Sequence, residues 1–209
     1  MTDKSEPARP DNQDPIINFA GEKVALGPLH RGLVPLWQRW SNDFEVMRFY
    51  GRRLPTSREK VEEWYQGTSK NERAAYFAVY ELADLRPVGY TGLFDIDQFH
   101  RIAEFDIFNG DKDCWGKGYG TEISRLMLDY GFTCLGLHNI FLKVHSANEP
   151  GIRAYQRAGY RMAGRLRQTR WLGDRAYDML LMDCLATEFQ SQTLYSLLPE
   201  DPQPLNKQP

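Results

Sequence analysis

Three glycines at two-residue spacing, Gly116, Gly118 and Gly120, stand in the run WGKGYGT between a strand-like and a helix-like segment. Glycine lets a backbone reach positive φ and come close to a ligand. The first amides of a helix have no intrahelical acceptor, and the helix dipole favours negative charge there. Such a turn can bind an anion, with phosphate the natural ligand. A dinucleotide fingerprint needs GxGxxG and an acid further on. Here the third glycine falls one residue early, and Leu142 stands where the acid belongs. A nucleotide P-loop needs GxxxxGK and then Ser or Thr. Five residues separate Gly110 from Gly116–Lys117, and Gly118 takes the hydroxyl's place. A tight turn without a ligand stays open as an alternative.

Other residues offer less. Glu104 and Asp106 are two apart on a strand-like run and so share a face. Neighbouring carboxylates raise the pKa of one of them, which suits a base or an ammonium attractor; a solvated strand face is the plain alternative. Tyr155 shares a helical face with Ile152 and Gly159, as a packing tyrosine would. Arg161, Arg165, Arg167, Arg170 and Arg175 form a basic stripe, read as solvated strand faces or a dock for an acidic partner. His30, His100, His138 and His145 show no HxxxH or HxH spacing, so no metal site is expected. There is no GxSxG elbow, and Cys114 has no histidine placed to activate it.

These residues must be held by elements with legible periods. Residues 22–29 read as a strand and 34–50 as a helix with a break near Asn42. Ser57 opens a second helix whose apolar face carries Val61, Trp64 and Tyr65. Residues 75–81 and 88–95 form a hairpin, and 101–109 a further strand. The glycine turn then feeds a helix with Ile123, Leu126, Met127, Tyr130 and Cys134 on one face. Residues 140–145 are a strand. The next helix has Asn148 as cap, Pro150 in its first turn and Gly159 as terminator. Strands at 160–168 and 175–184 close the pattern. The strand–turn–helix–strand unit implies a parallel pair between 101–109 and 140–145, in a mixed sheet with helices on both faces.

The 209 residues are 42% apolar and 26% charged, as a single globular domain with tails would be. Residues 1–14 and 186–209 each carry a net −2 and are rich in polar residues and proline, so they read as a disordered lead and a mostly disordered extension around a domain at 15–185. The run EFQSQTLYSLL reads as a short docking helix. Twenty-six basic against 28 acidic residues give no electrostatic case for nucleic acid. No apolar run is long enough to span a membrane. The first residues lack a signal-peptide core, and three cysteines without CxxC spacing suit a reduced, cytoplasmic protein.

The stretches DCWGKGYGTEISRLMLDYGF and KVHSANEPGIRAYQRAGYRMAGRLR resemble the GNAT superfamily of acyl-CoA-dependent N-acyltransferases, and within it the RimJ/RimL-like branch. The superfamily pattern Q/R-x-x-G-x-G/A is met by Trp115, Gly118 and Gly120, with tryptophan departing at the first place. Asn148, Tyr155 and the pair Gly159–Tyr160 match the second half. The resemblance spans about 22–185. It implies an α/β fold of the mixed α+β kind. The sheet would have six to seven mostly antiparallel strands with a splayed parallel pair, and about four helices on both faces.

The resemblance also implies the chemistry. Acetyl-CoA would be the acyl donor and a primary amine the acceptor, either a protein N-terminus or a small molecule. A polyamine, or a non-catalytic CoA-binding module, is the alternative. No metal is implied, and a homodimer is a candidate. Trp115, Gly116, Lys117, Gly118, Tyr119, Gly120 and Thr121 would cradle the diphosphate, and Asn148 would place the pantetheine. The strand 101–109 would be bulged and give backbone groups from Ile107, Phe108 and Asn109. Tyr155 would protonate the leaving sulfur, and Glu104, at the branch's acidic position, would be the base. The first helices and their loop would roof the acceptor with Trp40, Tyr50 and Arg52, and Asp106 would face it. The arginine stripe could then also meet the coenzyme's 3′-phosphate.

Overall fold

The computed structural model describes residues 14–51, 54–191 and 193–197. The described chain builds one eight-stranded sheet. In chain order the strands are β1 Phe19–Ala20, β2 Val24–Pro28, β3 Ala75–Glu81, β4 Pro87–Asp97, β5 Ile102–Asn109, β6 Asn139–His145, β7 Arg161–Leu172 and β8 Arg175–Leu185. The helices are α1 Val34–Ser41, α2 Arg58–Ser69, α3 Tyr119–Asp129 and α4 Glu149–Ala158. The spatial order is β1-β2-β3-β4-β5-β6-β8-β7, antiparallel throughout except for β5 beside β6. This is the expected mixed sheet, with β1 as a two-residue strand that the sequence did not announce.

Strand alternation gives the sheet two apolar faces. Val24, Phe77, Leu93, Phe105 and Ile140 pack with Ile123, Met127 and Ala158 of α3 and α4. Ala25, Ala78, Tyr80 and Phe108 pack on the other face with Trp37 and Trp40 of α1 and Val61 of α2. Caps form where the side chains predict them. Asn148 Oδ1 accepts the Gly151 amide at 3.1 Å, and Ser57 Oγ accepts the Lys60 amide at 3.4 Å. Each such cap contributes about 1 kcal/mol. Gly159 ends α4 at φ +121°.

Three expectations are corrected. The break expected near Asn42 is present, with α1 ending at Ser41 and Asn42 turning its amide to the Gln38 and Thr56 carbonyls, but a 3-10 turn, Val46–Phe49, follows in place of the α-helix expected up to residue 50. The bulge expected on β5 is absent. The irregularity lies in β4 between Phe94 and Asp97, where Asp95 takes φ +49°. The described residues of the run EFQSQTLYSLL form no α-helix; 3-10 turns stand at Ala186–Glu188 and Tyr195–Leu197. The described part of the 186–209 extension is docked, with Leu194 buried.

Candidate active site

The turn after β5 is built to present amides. Asp111 Oδ1 accepts the Asp113 amide at 2.9 Å and starts a 3-10 turn, Lys112–Cys114. Gly116 at φ +77° and Gly118 at φ +88° then reverse the chain, in a region where L side chains are strained. The Thr121 and Glu122 amides return to the Gly118 carbonyl at 3.1 and 3.2 Å. The amides of Gly118, Tyr119 and Gly120 have no acceptor among the described residues. Three free donors at the positive end of α3 form an anion cradle.

An ionic brace fixes that cradle from behind. Glu81, the last residue of β3, accepts the Tyr119 hydroxyl, pairs with Arg86 at 2.6 Å and meets Lys117 at 3.5 Å. Arg86 also pairs with Asp111 and reaches the Cys114 sulfur at 3.5 Å. The Tyr119 hydrogen bond first, then that of Arg86, holds the Glu81 carboxyl down to about 2. Trp115 donates its indole N–H to the Asn109 carbonyl at 3.2 Å and so closes the turn onto β5.

Beside the cradle the sheet opens. β5 pairs with β6 only at Ile102↔Asn139, Ala103↔Ile140 and Glu104↔Phe141. From Phe105 on, the β6 side of β5 carries no ladder, while its other edge stays paired to β4 up to Asn109. Tyr155 of α4 stands edge-on to Phe105, 6.2 Å between ring centres, and its hydroxyl has no partner among the described residues. Burial first, and the charge of Asp106 second, lift this phenol above the ordinary tyrosine range. It therefore carries its proton at neutral pH. Tyr50, after α1, donates its hydroxyl to the Ile107 carbonyl from the opposite face. Asn148 caps α4 through its oxygen, and its side-chain N–H₂ has no partner among the described residues and can meet a ligand.

The two carboxylates of β5 face α1 and α2 but differ in company. Lys143 Nζ lies 2.7 Å from Glu104. Asp106 is half-buried and makes no ion pair among the described residues. Burial, with the like charge of Glu104 also raising it, pushes its carboxyl up to about 6 against hydrogen bonds from the Ile107 amide and Tyr76. Tyr76 reaches it from β3 because Gly92 lies between them in register; a Cβ on Gly92 would meet the Tyr76 ring at 2.4 Å. Tyr76, Tyr90, Trp64 and Phe94 line this face as an aromatic wall.

A cradle for phosphate next to an opened parallel pair limits the identity sharply, and residues 24–161 match the Acetyltransferase (GNAT) domain model. The chain belongs to the GNAT acetyltransferases. It is 27% identical over 171 residues to the spermidine N(1)-acetyltransferase of Vibrio cholerae, covering 82% of this chain and 98% of that protein. The enzyme of the same name from Escherichia coli K12 is 29% identical over 147 residues, 70% of this chain and 77% of that one. The crystal structure of the Vibrio cholerae enzyme in complex with CoA and spermine superposes with a TM-score of 0.73 at 27% identity, over 79% of this chain and 96% of that one. This GNAT protein is an N-acetyltransferase, and acetyl-CoA is its acyl donor.

The expected site residues are distributed unevenly in this GNAT chain. Residues 115–121 form the cradle and Trp115 ties it to Asn109, while Tyr155 stands against Phe105 at the opened strands and Asn148 caps α4. Trp40 is buried; it packs against Phe108 and covers Gly110, so it supports the wall from beneath. Asp43 and Glu45 are taken up by Lys112 at 2.9 and 3.1 Å. Arg52 lies outside the described residues. The arginine stripe is partly paired, Arg161 with Glu188 and Arg165 with Asp178. No helix among the described residues is long and apolar enough to cross a membrane, and no cluster of potential metal ligands occurs among them. Sequence reasoning missed Tyr76, Lys143 and the Glu81–Arg86 brace. A glycine in mid-strand at Gly92 was the one available sign that a large side chain crosses there.

Proposed function

We propose that this protein, a RimJ/RimL-like member of the family, transfers acetyl from acetyl-CoA to a primary amine by direct attack in a ternary complex. The three unpartnered amides at Gly118–Gly120, lying beside the unpaired edge of β5, carry this reading. The amides suit the coenzyme's diphosphate, while Ile107, Phe108 and Asn109 offer backbone groups to its pantetheine. The free Asn148 side-chain amide adds one more contact. The thioester supplies the activated acetyl group. Tyr155 holds the proton that the leaving sulfur takes, and burial keeps it on the phenol until then. The acceptor enters from the α1–α2 face past Tyr50, whose hydroxyl on Ile107 fixes one wall.

The acceptor is a small-molecule amine or a protein N-terminus. A polyamine is the second reading, supported by the names of the relatives and the spermine in the superposed structure. Three free cysteines support a reducing, cytoplasmic setting. The test is release of free thiol from acetyl-CoA across a panel of monoamines, polyamines and peptides. Amine-dependent release is expected. Binding of CoA without release for any amine would leave the non-catalytic module as the reading.

A further inference from the structure

Glu104 and Asp106 share a strand face, yet only one is placed to exchange a proton with a substrate. Glu104 is the last β5 residue paired to β6, and Lys143 of β6 already neutralises it at 2.7 Å. An acceptor ammonium would have to displace that lysine. Asp106 lies two residues further on, where β6 has parted from β5, and close enough for its charge to act on the Tyr155 phenol. Among the described residues, the titratable groups that interact with it are Glu104 on its own strand, Tyr76 from β3, Tyr50 from the turn after α1 and Tyr155 from α4, and none of these is cationic. Asp95, exposed on β4, adds its negative charge at Tyr76. The hydrogen bonds from Tyr76 and the Ile107 amide orient the carboxylate without neutralising it.

We propose that Asp106, not Glu104, is the catalytic base. This rests on the acetyl transfer proposed above. The acceptor nitrogen gives up two protons as its C–N bond forms and the C–S bond breaks. The first passes from the ammonium to the Asp106 carboxylate and then to solvent. The second refills the Tyr155 oxygen, whose own proton has gone to the sulfur. The products are the amide, the free thiol and one released proton. A carboxyl lifted to about 6 is suited to this work, because a stronger acid would hold the proton too weakly. The rate therefore rises with pH through that value as the carboxylate forms. Since the ammonium is the productive form of the acceptor, that acidic limb belongs to the enzyme.

The experiment is the pH profile of kcat/KM for the best amine of the panel at saturating acetyl-CoA. Four proteins are compared: wild type, Glu104→Gln, Tyr76→Phe and Asp106→Asn. Wild type should show an acidic limb near 6. Glu104→Gln should keep the limb and move it lower, because a like charge is gone. Tyr76→Phe should keep it and move it higher, because a hydrogen bond to the carboxylate is gone. Asp106→Asn should lose the limb and about 100-fold in rate, while coenzyme binding stays within a factor of about two. A limb that disappears in Glu104→Gln, or persists in Asp106→Asn, overturns the proposal. Should Asp106→Asn fail to fold, opposite shifts in the other two variants carry it, and an unmoved limb in both overturns it. Wild type inert with every amine would sink acetyl transfer itself, a distinct outcome.

Discussion

At the scale of the residue, single side chains here serve packing and chemistry through different atoms. Tyr155 packs its ring against Phe105 and Tyr160, as its place on an apolar helix face predicted. Its hydroxyl has no partner among the described residues. Tyr155→Phe keeps the ring and removes only the proton donor. The kcat should fall roughly 100-fold, with the dissociation constant for CoA unchanged by calorimetry. A wild-type kcat would return Tyr155 to a packing role. Asp106 and Glu104 show the limit of reading residues along one strand. Alternation placed both on one face, but Lys143 comes from a strand nearly forty positions away and Tyr76 from two strands over. Those partners depend on the order of strands in space, which no local pattern carries.

At the scale of the element, the brace behind the glycine turn makes a separable prediction. Arg86 joins the end of β3, through Glu81, to the start of the turn, through Asp111. Arg86→Met keeps the aliphatic stem and cuts both ties. The KM for acetyl-CoA should rise roughly tenfold, a loss of about 1.4 kcal/mol, with kcat for the amine within about twofold. An unchanged KM would mean that Gly116 and Gly118 hold the turn by themselves. The elements were largely legible because their signals are local: two periods, Ser57 and Asn148 as caps, Gly159 as a stop. What failed had a non-local cause. The break near Asn42 was legible, but the chain beyond it forms a 3-10 turn and no second α-helical stretch, with Asn42 exchanging hydrogen bonds with Thr56, fourteen residues on. The irregular strand is β4 rather than β5, and the opening beside β5 comes instead from β6 turning away after Phe141.

At the scale of the whole molecule, α3 connects the ligand end of the sheet to the chain's last described turn. Its N-terminus forms the cradle, and its last residue, Asp129, is buried at the other end. That carboxylate accepts from Thr133 and Ser191 hydroxyls and from the Thr193 and Leu194 amides, the last two at 3.0 Å. Burial alone would raise its pKa, but the four hydrogen bonds outweigh it and the carboxyl sits below its ordinary value. A depressed native pKa adds stability that is present above the unfolded value, near 3.9 on the usual scale, and lost as pH falls through the native one. Asp129→Ala strands the buried Leu194 amide and the half-buried Thr193 amide and should cost about 3 kcal/mol. For a chain of this size that is a fall in Tm of roughly 6–12 °C at neutral pH. The gap between wild type and variant should narrow below about pH 4, as wild type loses the same carboxylate by protonation. Since the cradle lies a full helix away, the KM for acetyl-CoA at a temperature well below both transitions should change by less than about threefold. A gap in Tm that stays constant down to acid pH would show that Asp129 acts by packing and not by its charge.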